Sequence, residues 1–232
     1  MSRRTDLDRL YELLYRLGSK LGDRRVLSQC DGRMNWPKRG VYFFLESDEL
    51  RAIDARPRIV RVGTHALKAG ARSTLWGRLA QHRGTQQPVG GNHRGSIFRL
   101  LVGAALAARN SGLTCPTWGS GSSAERSIRE NERHLEAAVS EYTGSMMVLC
   151  LPLDDEPGPG SLRGYIEKNA IALLSNFERP AIDPPSADWL GRCCPRAKVK
   201  LSGLWNCDHV DGDYDPMFIE KLEQVMERSE PC

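Results

Sequence analysis

The 232-residue chain is 40% hydrophobic and 27% charged with a net charge of +4, a globular composition that excludes a disordered, collagen-like or fibrous polypeptide. A chain of this length buries about 70% of its unfolded surface without metal or disulfide staples, in one or two small domains. Its longest strongly apolar stretch, Ile97 to Ala108, is interrupted by Arg99 and falls short of the roughly 20 residues of a membrane helix, and the early Arg3, Arg4, Asp6 and Asp8 do not match a secretory signal, so a cytoplasmic protein with no membrane partner is expected.

Leu7, Leu10, Leu13, Leu14, Leu17 and Leu21 recur at three- and four-residue spacing and predict an amphipathic helix over Asp6 to Leu21. Trp36-Pro37-Lys38-Arg39-Gly40 reads as a turn, and the β-branched and aromatic run Val41 to Leu45 as a strand. Arg58 to Gly63 is a second strand, close enough to the first to form an antiparallel pair. Ser73 or Thr74 caps a helix through Leu75, Trp76, Leu79 and His82, which stops before the loop Gly84 to Asn92. Ser96 to Leu106 fits strand or helix equally by period. Gly112 to Ser123 is a loop, Ala124 to Tyr142 a helix and Met146 to Leu153 a third strand. Asp154 to Gly160 turns into a helix over Leu162 to Asn176, and a last helix lies near Pro216 to Arg228. The seven cysteines are irregularly spaced with no CxxC pair, which argues against a disulfide framework. Cys193, Cys194, Cys207 and His209 lack the spacer of a zinc site.

Charge is polarised along the chain. Between Ala55 and Ala124 there is no Asp or Glu, and ten basic residues give that stretch +10, while the rest, with 23 basic and 29 acidic residues, is −6. Such a run predicts a polyanionic partner, because Lys and Arg neutralise phosphates and release condensed counterions. On this reading Lys68, Arg72, Arg83 and Arg99 contact DNA. The glycine-rich Gly90 to Ser96 segment, with His93 and Arg94, grips its backbone. The competing reading is that carboxylates from elsewhere in the fold pair with these arginines.

Four polar residues stand where chemistry can use them. Tyr42 follows Gly40-Val41 inside the first strand. Arg78 and His82 are i and i+4 on the next helix and share a face. Glu167 lies in the first turns of the later helix. Singly, each has an ordinary role: a core aromatic, a solvated helix face, a carboxylate placed for the helix dipole. Together a phenol, a guanidinium, an imidazole and one carboxylate are what metal-assisted phosphodiester hydrolysis needs.

Their order, Gly40-Val41-Tyr42, then Arg61-Val62-Gly63, then Arg78, His82 and Glu167, resembles the GIY-YIG nuclease superfamily over roughly residues 36 to 185. The long insert and the Arg-x-x-x-His arrangement are similar to its restriction-endonuclease members. The resemblance implies an α/β (α+β) fold: a small three-stranded antiparallel sheet flanked by helices. It divides the chain into an N-terminal helical segment, 1–35, a nuclease domain, 36–185, with its insert at about 84–145, and a C-terminal extension, 186–232. It also implies a metal-dependent DNA endonuclease using Mg²⁺, or Mn²⁺ in its place. Tyr42 then matches the residue that takes a proton from the attacking water, His82 assists it, Arg78 binds phosphate and Glu167 is the metal ligand. An asparagine often follows the glutamate helix; Asn176 fits that place, with Asp183 the alternative. Arg61 departs from the pattern, which has a tyrosine there. If the two strands pair, it lies close enough to lower the pKa of Tyr42 and to contact phosphate. The alternative function is a DNA-binding protein that has lost turnover. Double-strand cleavage would favour a homodimer. In the tail, Asp208, Asp211, Asp213 and Asp215 form no EF-hand, because Pro216 and Leu222 occupy its glycine and final glutamate positions, and Ser202 to Asn206 is expected to pack the tail on the core.

Overall fold

The leucine stripe forms the predicted helix, Arg3–Leu21 (α1), with Leu7, Leu10, Leu13, Leu14 and Leu17 buried. The computed structural model describes residues 2–21 and 25–228. After α1 come strands Arg25–Val26 (β1), Gly40–Leu50 (β2) and Pro57–Gly63 (β3), helix Leu75–Arg83 (α2), a hairpin of Thr85–Gln86 (β4) and Val89–Gly90 (β5), and helices Ile97–Arg109 (α3), Arg126–Asn131 (α4) and Arg133–Ser145 (α5). Strand Met147–Pro152 (β6) and helices Leu162–Leu174 (α6), Ala197–Ser202 (α7) and Phe218–Arg228 (α8) follow.

The main sheet is antiparallel, in the order β1-β6-β2-β3, an α+β architecture. Three of its strands match the predicted ones; the fourth, β1, has two residues and carries no periodicity to read. Central β2 is buried on both faces. Val41, Phe43 and Leu45 share one core with α1, α6 and α8, while Tyr42 and Phe44 share the other with α2, α3 and α5. In β3 the register steps from Phe44 opposite Arg61 to Leu45 opposite Ile59. Val60 is the extra residue of this bulge, and Val60 and Arg61 both reach the second core.

The ambiguous segment is helical, α3. Its buried Phe98, Leu101, Val102 and Ala105 repeat with helical period, and the Ser96 side chain caps it by accepting from the Arg99 amide. The predicted helix from Ala124 breaks in two at Glu132, whose buried carboxylate accepts from Arg94 at 2.6 and 2.8 Å and from the Thr117 hydroxyl at 2.9 Å.

This insert corrects the expected DNA grip. Arg99 is wholly buried and donates from Nε to Glu136 at 3.1 Å and from Nη2 to the Glu136 carbonyl at 2.9 Å. His93, also buried, donates from its amide to the same carboxylate at 2.6 Å and stacks on Trp118, centroids 3.9 Å apart. Arg94 is paired with Glu132. His93, Arg94 and Arg99 are therefore not a DNA surface, because Glu132 and Glu136, one turn apart on and beside α5, are folded in from outside the carboxylate-free run. Likewise Arg58 lies between Glu49 and Asp183. Burial pushes the Glu136 carboxyl up, but His93 and Arg99 outweigh it and hold it below the usual carboxylate range. Glu136→Gln leaves a guanidinium buried against a neutral amide and should lower the unfolding free energy by about 3 kcal/mol, seen as a lower urea midpoint at unchanged slope.

The N- and C-terminal helices close the other core. Arg9 and Arg16 of α1 pair with Glu223 of α8, and Arg3 donates to the carbonyls of Leu173 and Ser175, satisfying the end of α6. The helix that carries Glu167 is thus fixed at its far end.

Candidate active site

Tyr42 lies in the middle strand opposite Gly63 on β3 and Cys150 on β6. A Cβ on Gly63 would overlap the Tyr42 ring and hydroxyl, and one on Gly40 would overlap the Leu151 carbonyl. The two motif glycines are thus explained by close approach. Buried Tyr42 points its hydroxyl at His82 Nε2, 2.8 Å away, and His82 Nδ1 lies 2.8 Å from Ser96 Oγ. His82 is wholly buried among Tyr42, Phe44 and Phe98. Burial first, then the charges of Arg61, Arg78 and Arg99, hold its pKa well below that of a free imidazole, so it is neutral at pH 7.

Glu167, in the second turn of α6, reaches the end of β3, where the Thr64 amide donates to its Oε1 at 3.1 Å. Burial raises its carboxyl pKa; Arg61 and Arg78 act against the rise and Asp208 adds to it. Arg78 is half-buried, with Nη1 donating to Gln81 at 2.9 Å and to the Gly95 carbonyl at 3.3 Å. It lines an open cleft with Thr64, His65, Arg72, Ser73 and Gln81. Its charge is felt at both His82 and Glu167, so Tyr42, His82, Arg78 and Glu167 converge at one end of the sheet.

Arg61 pairs in register with Phe44. Its guanidinium donates to the Trp205 carbonyl and stands 4.9 Å from the Phe98 ring centroid. Only 6% of the residue is exposed, so Arg61 acts here as a buried charge, with its field on His82 and Glu167. Of the remaining expected contacts, Lys68 and Arg72 are exposed, Arg72 at the cleft. Arg83 donates to the Cys30 carbonyl and stands 5.1 Å from the Trp76 ring centroid. Asn176 lies beyond the end of α6, bonded to the Asp183 carbonyl and the Ile182 amide. Asp183 itself accepts from the Tyr11 hydroxyl at 3.0 Å. Neither side chain has a bond to the Tyr42 group among the described residues.

Two neighbours lie outside the residues that the family pattern marks. The tail returns beside the free edge of β3, where the Trp205 amide donates to Val60 and the Asn206 side chain bonds both the amide and the carbonyl of Val62, at 3.1 and 2.8 Å. That places Asp208 within electrostatic reach of Glu167. His65 is the second: 6% exposed, at the cleft, and separated from the motif glycine only by Thr64. Ser202 to Asn206 packs the tail on the core as the sequence predicts, whereas nothing local distinguishes His65, whose place at the cleft exists only after folding.

The whole chain, residues 1–232, matches the family model described as GIY-YIG domain. The chain belongs to the GIY-YIG family. No curated protein and no solved structure gives a significant match. GIY-YIG domains are generally endonucleases acting on DNA, and they typically use divalent metals. In this GIY-YIG domain no group of three or more His, Cys, Asp or Glu among the described residues forms a metal cage. Glu167 nevertheless fits a hard cation. Its carboxyl pKa is raised by burial and its Oε1 accepts from the Thr64 amide, and Mg²⁺ is commonly held by one or two carboxylates plus water and substrate phosphate. No helix among the described residues is long and apolar enough to cross a membrane.

Proposed function

We propose that this GIY-YIG protein is a metal-dependent endonuclease that hydrolyses DNA phosphodiester bonds. Tyr42 serves as the base toward the attacking water, His82 takes the phenol's proton, Arg78 binds the phosphate, and Glu167 holds Mg²⁺ or Mn²⁺. The observation that carries the reading is the 2.8 Å contact between the Tyr42 hydroxyl and His82 Nε2, with Ser96 on the other ring nitrogen.

In the tautomer with Nδ1–H donating to Ser96 Oγ, Nε2 offers its lone pair to the Tyr42 hydroxyl. The free site resists the transfer, because burial first and then Arg61, Arg78 and Arg99 oppose a positive imidazole. An incoming phosphodiester offsets the arginine part of that field at His82, which favours the imidazole as proton acceptor. Arg78, on the helix face toward the cleft, then meets the charge that develops on the phosphoryl oxygens. A cation bound at Glu167 would supply Lewis-acid stabilisation of that same charge.

The direct test is supercoiled and single-stranded DNA incubated with the purified protein in Mg²⁺, Mn²⁺ or EDTA. Nicking or cutting should occur with either metal, stop in EDTA and return when metal is restored. Cleavage that survives EDTA would remove the metal role. Absence of cleavage on either DNA, with salt-sensitive binding intact, would favour a binding protein that has lost turnover.

A further inference from the structure

His65 takes no part in the chemistry proposed above, yet its position is closely held. Nδ1 lies 3.0 Å from the Ser73 carbonyl, and since a carbonyl only accepts, Nδ1 carries the hydrogen and Nε2 the lone pair. Nε2 is buried and has no hydrogen-bond partner among the described residues, whereas buried polar atoms nearly always have one. Arg163, itself wholly buried, donates to the carbonyls of His65 and Ala66. Ala66 has a left-handed φ of 53°, a conformation that non-glycine residues rarely adopt. The ring is thus oriented from both sides, at the edge of a cleft that also contains Arg72 and Arg78.

The surroundings suit an anion. The charges acting on the ring come from Arg163 of α6, Arg39 before β2 and Arg78 of α2. Asp155 is engaged by Arg163 and Asp154 by Arg39, while Glu167 accepts from the amide of neighbouring Thr64. We propose that His65 is a phosphate-binding residue of the cleft, its Nε2 donating to a non-bridging oxygen of the DNA strand with Arg72 and Arg78 beside it. The identity of the substrate rests on the nuclease reading; the anion chemistry does not.

To donate from Nε2 the ring must be protonated. Burial first, then Arg163, lowers its pKa to about 4 in the free protein, and a bound phosphate reverses the sign of the local field. Phosphate binding therefore takes up a proton, and affinity rises as pH falls through the interval between the free and bound pKa values, by at most about tenfold per pH unit.

The test has two arms, both on the metal-free full-length protein. In the first, inorganic pyrophosphate is added while the ring signals of His65 are followed by NMR over a pH titration, and the ring pKa should rise by about two units or more. In the second, the Kd for a duplex in EDTA is measured near pH 7.5 and pH 5.5 for wild type and His65→Gln. Acidification should strengthen wild-type binding several-fold more than that of the variant. A pKa unmoved by pyrophosphate, with superimposable pH dependences for the two proteins, would overturn the assignment while leaving the nuclease reading intact. A pKa that rises in a protein with no affinity for DNA would support the anion site and overturn the nuclease reading. If His65→Gln does not fold, the pyrophosphate titration of wild type, assigned through the backbone, decides alone.

Discussion

Glu167→Gln should lower metal-dependent DNA cleavage by roughly 10³- to 10⁴-fold, while DNA affinity in EDTA stays the same or tightens. The substitution preserves volume and keeps an oxygen for the Thr64 amide, so the end of β3 retains its anchor and the loss reports charge alone. Removing a negative group within reach of Arg61 and Arg78 leaves the phosphate side of the site more positive, which is why binding does not fall. The measurement is the nicking rate of supercoiled plasmid at saturating Mg²⁺, beside a metal-free binding isotherm. A variant within tenfold of wild type would take Glu167 out of the metal role.

Tyr42→Phe should lower cleavage by about 10³-fold, in the range general-base removal produces. The ring that packs beside Phe44 is kept, and only the hydroxyl is lost. His82 Nε2 then loses its partner inside a buried site, so a stability loss of about 1–3 kcal/mol accompanies the kinetic effect, and rates must be compared below the melting transition. His82→Gln should cost less on its own. The double variant should be no slower than Tyr42→Phe, because two residues that act as one unit are not additive. Full additivity of the two losses, read from single-turnover rates, would mean that His82 does not act through the phenol.

The elements that carry Tyr42, His82 and Glu167 could be read locally, while the joint role of these residues is what the resemblance of their order to the family implies. Strand alternation and a four-residue helical step are local properties of the backbone, and Thr74, one of two caps expected for α2, does accept from the Gly77 amide. The two motif glycines follow the same logic, since each marks a place where a strand admits no side chain.

Charge was less legible. A count of ten cations without a carboxylate between Ala55 and Ala124 treats every side chain as solvated, and burial undoes that assumption. Arg94 and Arg99 meet Glu132 and Glu136 nearly forty positions away, because an arginine withdrawn from water requires a carboxylate partner and the fold supplies one from another helix. Exposed Arg72 and half-buried Arg78 are the cations of the run that line the cleft.

Local sequence by itself determined the three longer strands and most of the helices, since periodicity and capping act over a few residues; the phenol meets the imidazole across 40 positions of chain and the carboxylate reaches the end of β3 across 103. Tertiary structure alone decided that α3 is a helix with a buried arginine, that the Asn206 side chain bonds the backbone of β3, and that buried His65 lines a cleft with Arg72 and Arg78. Such outcomes depend on which distant groups share a low-dielectric space, and that is set by packing across up to 144 positions of chain.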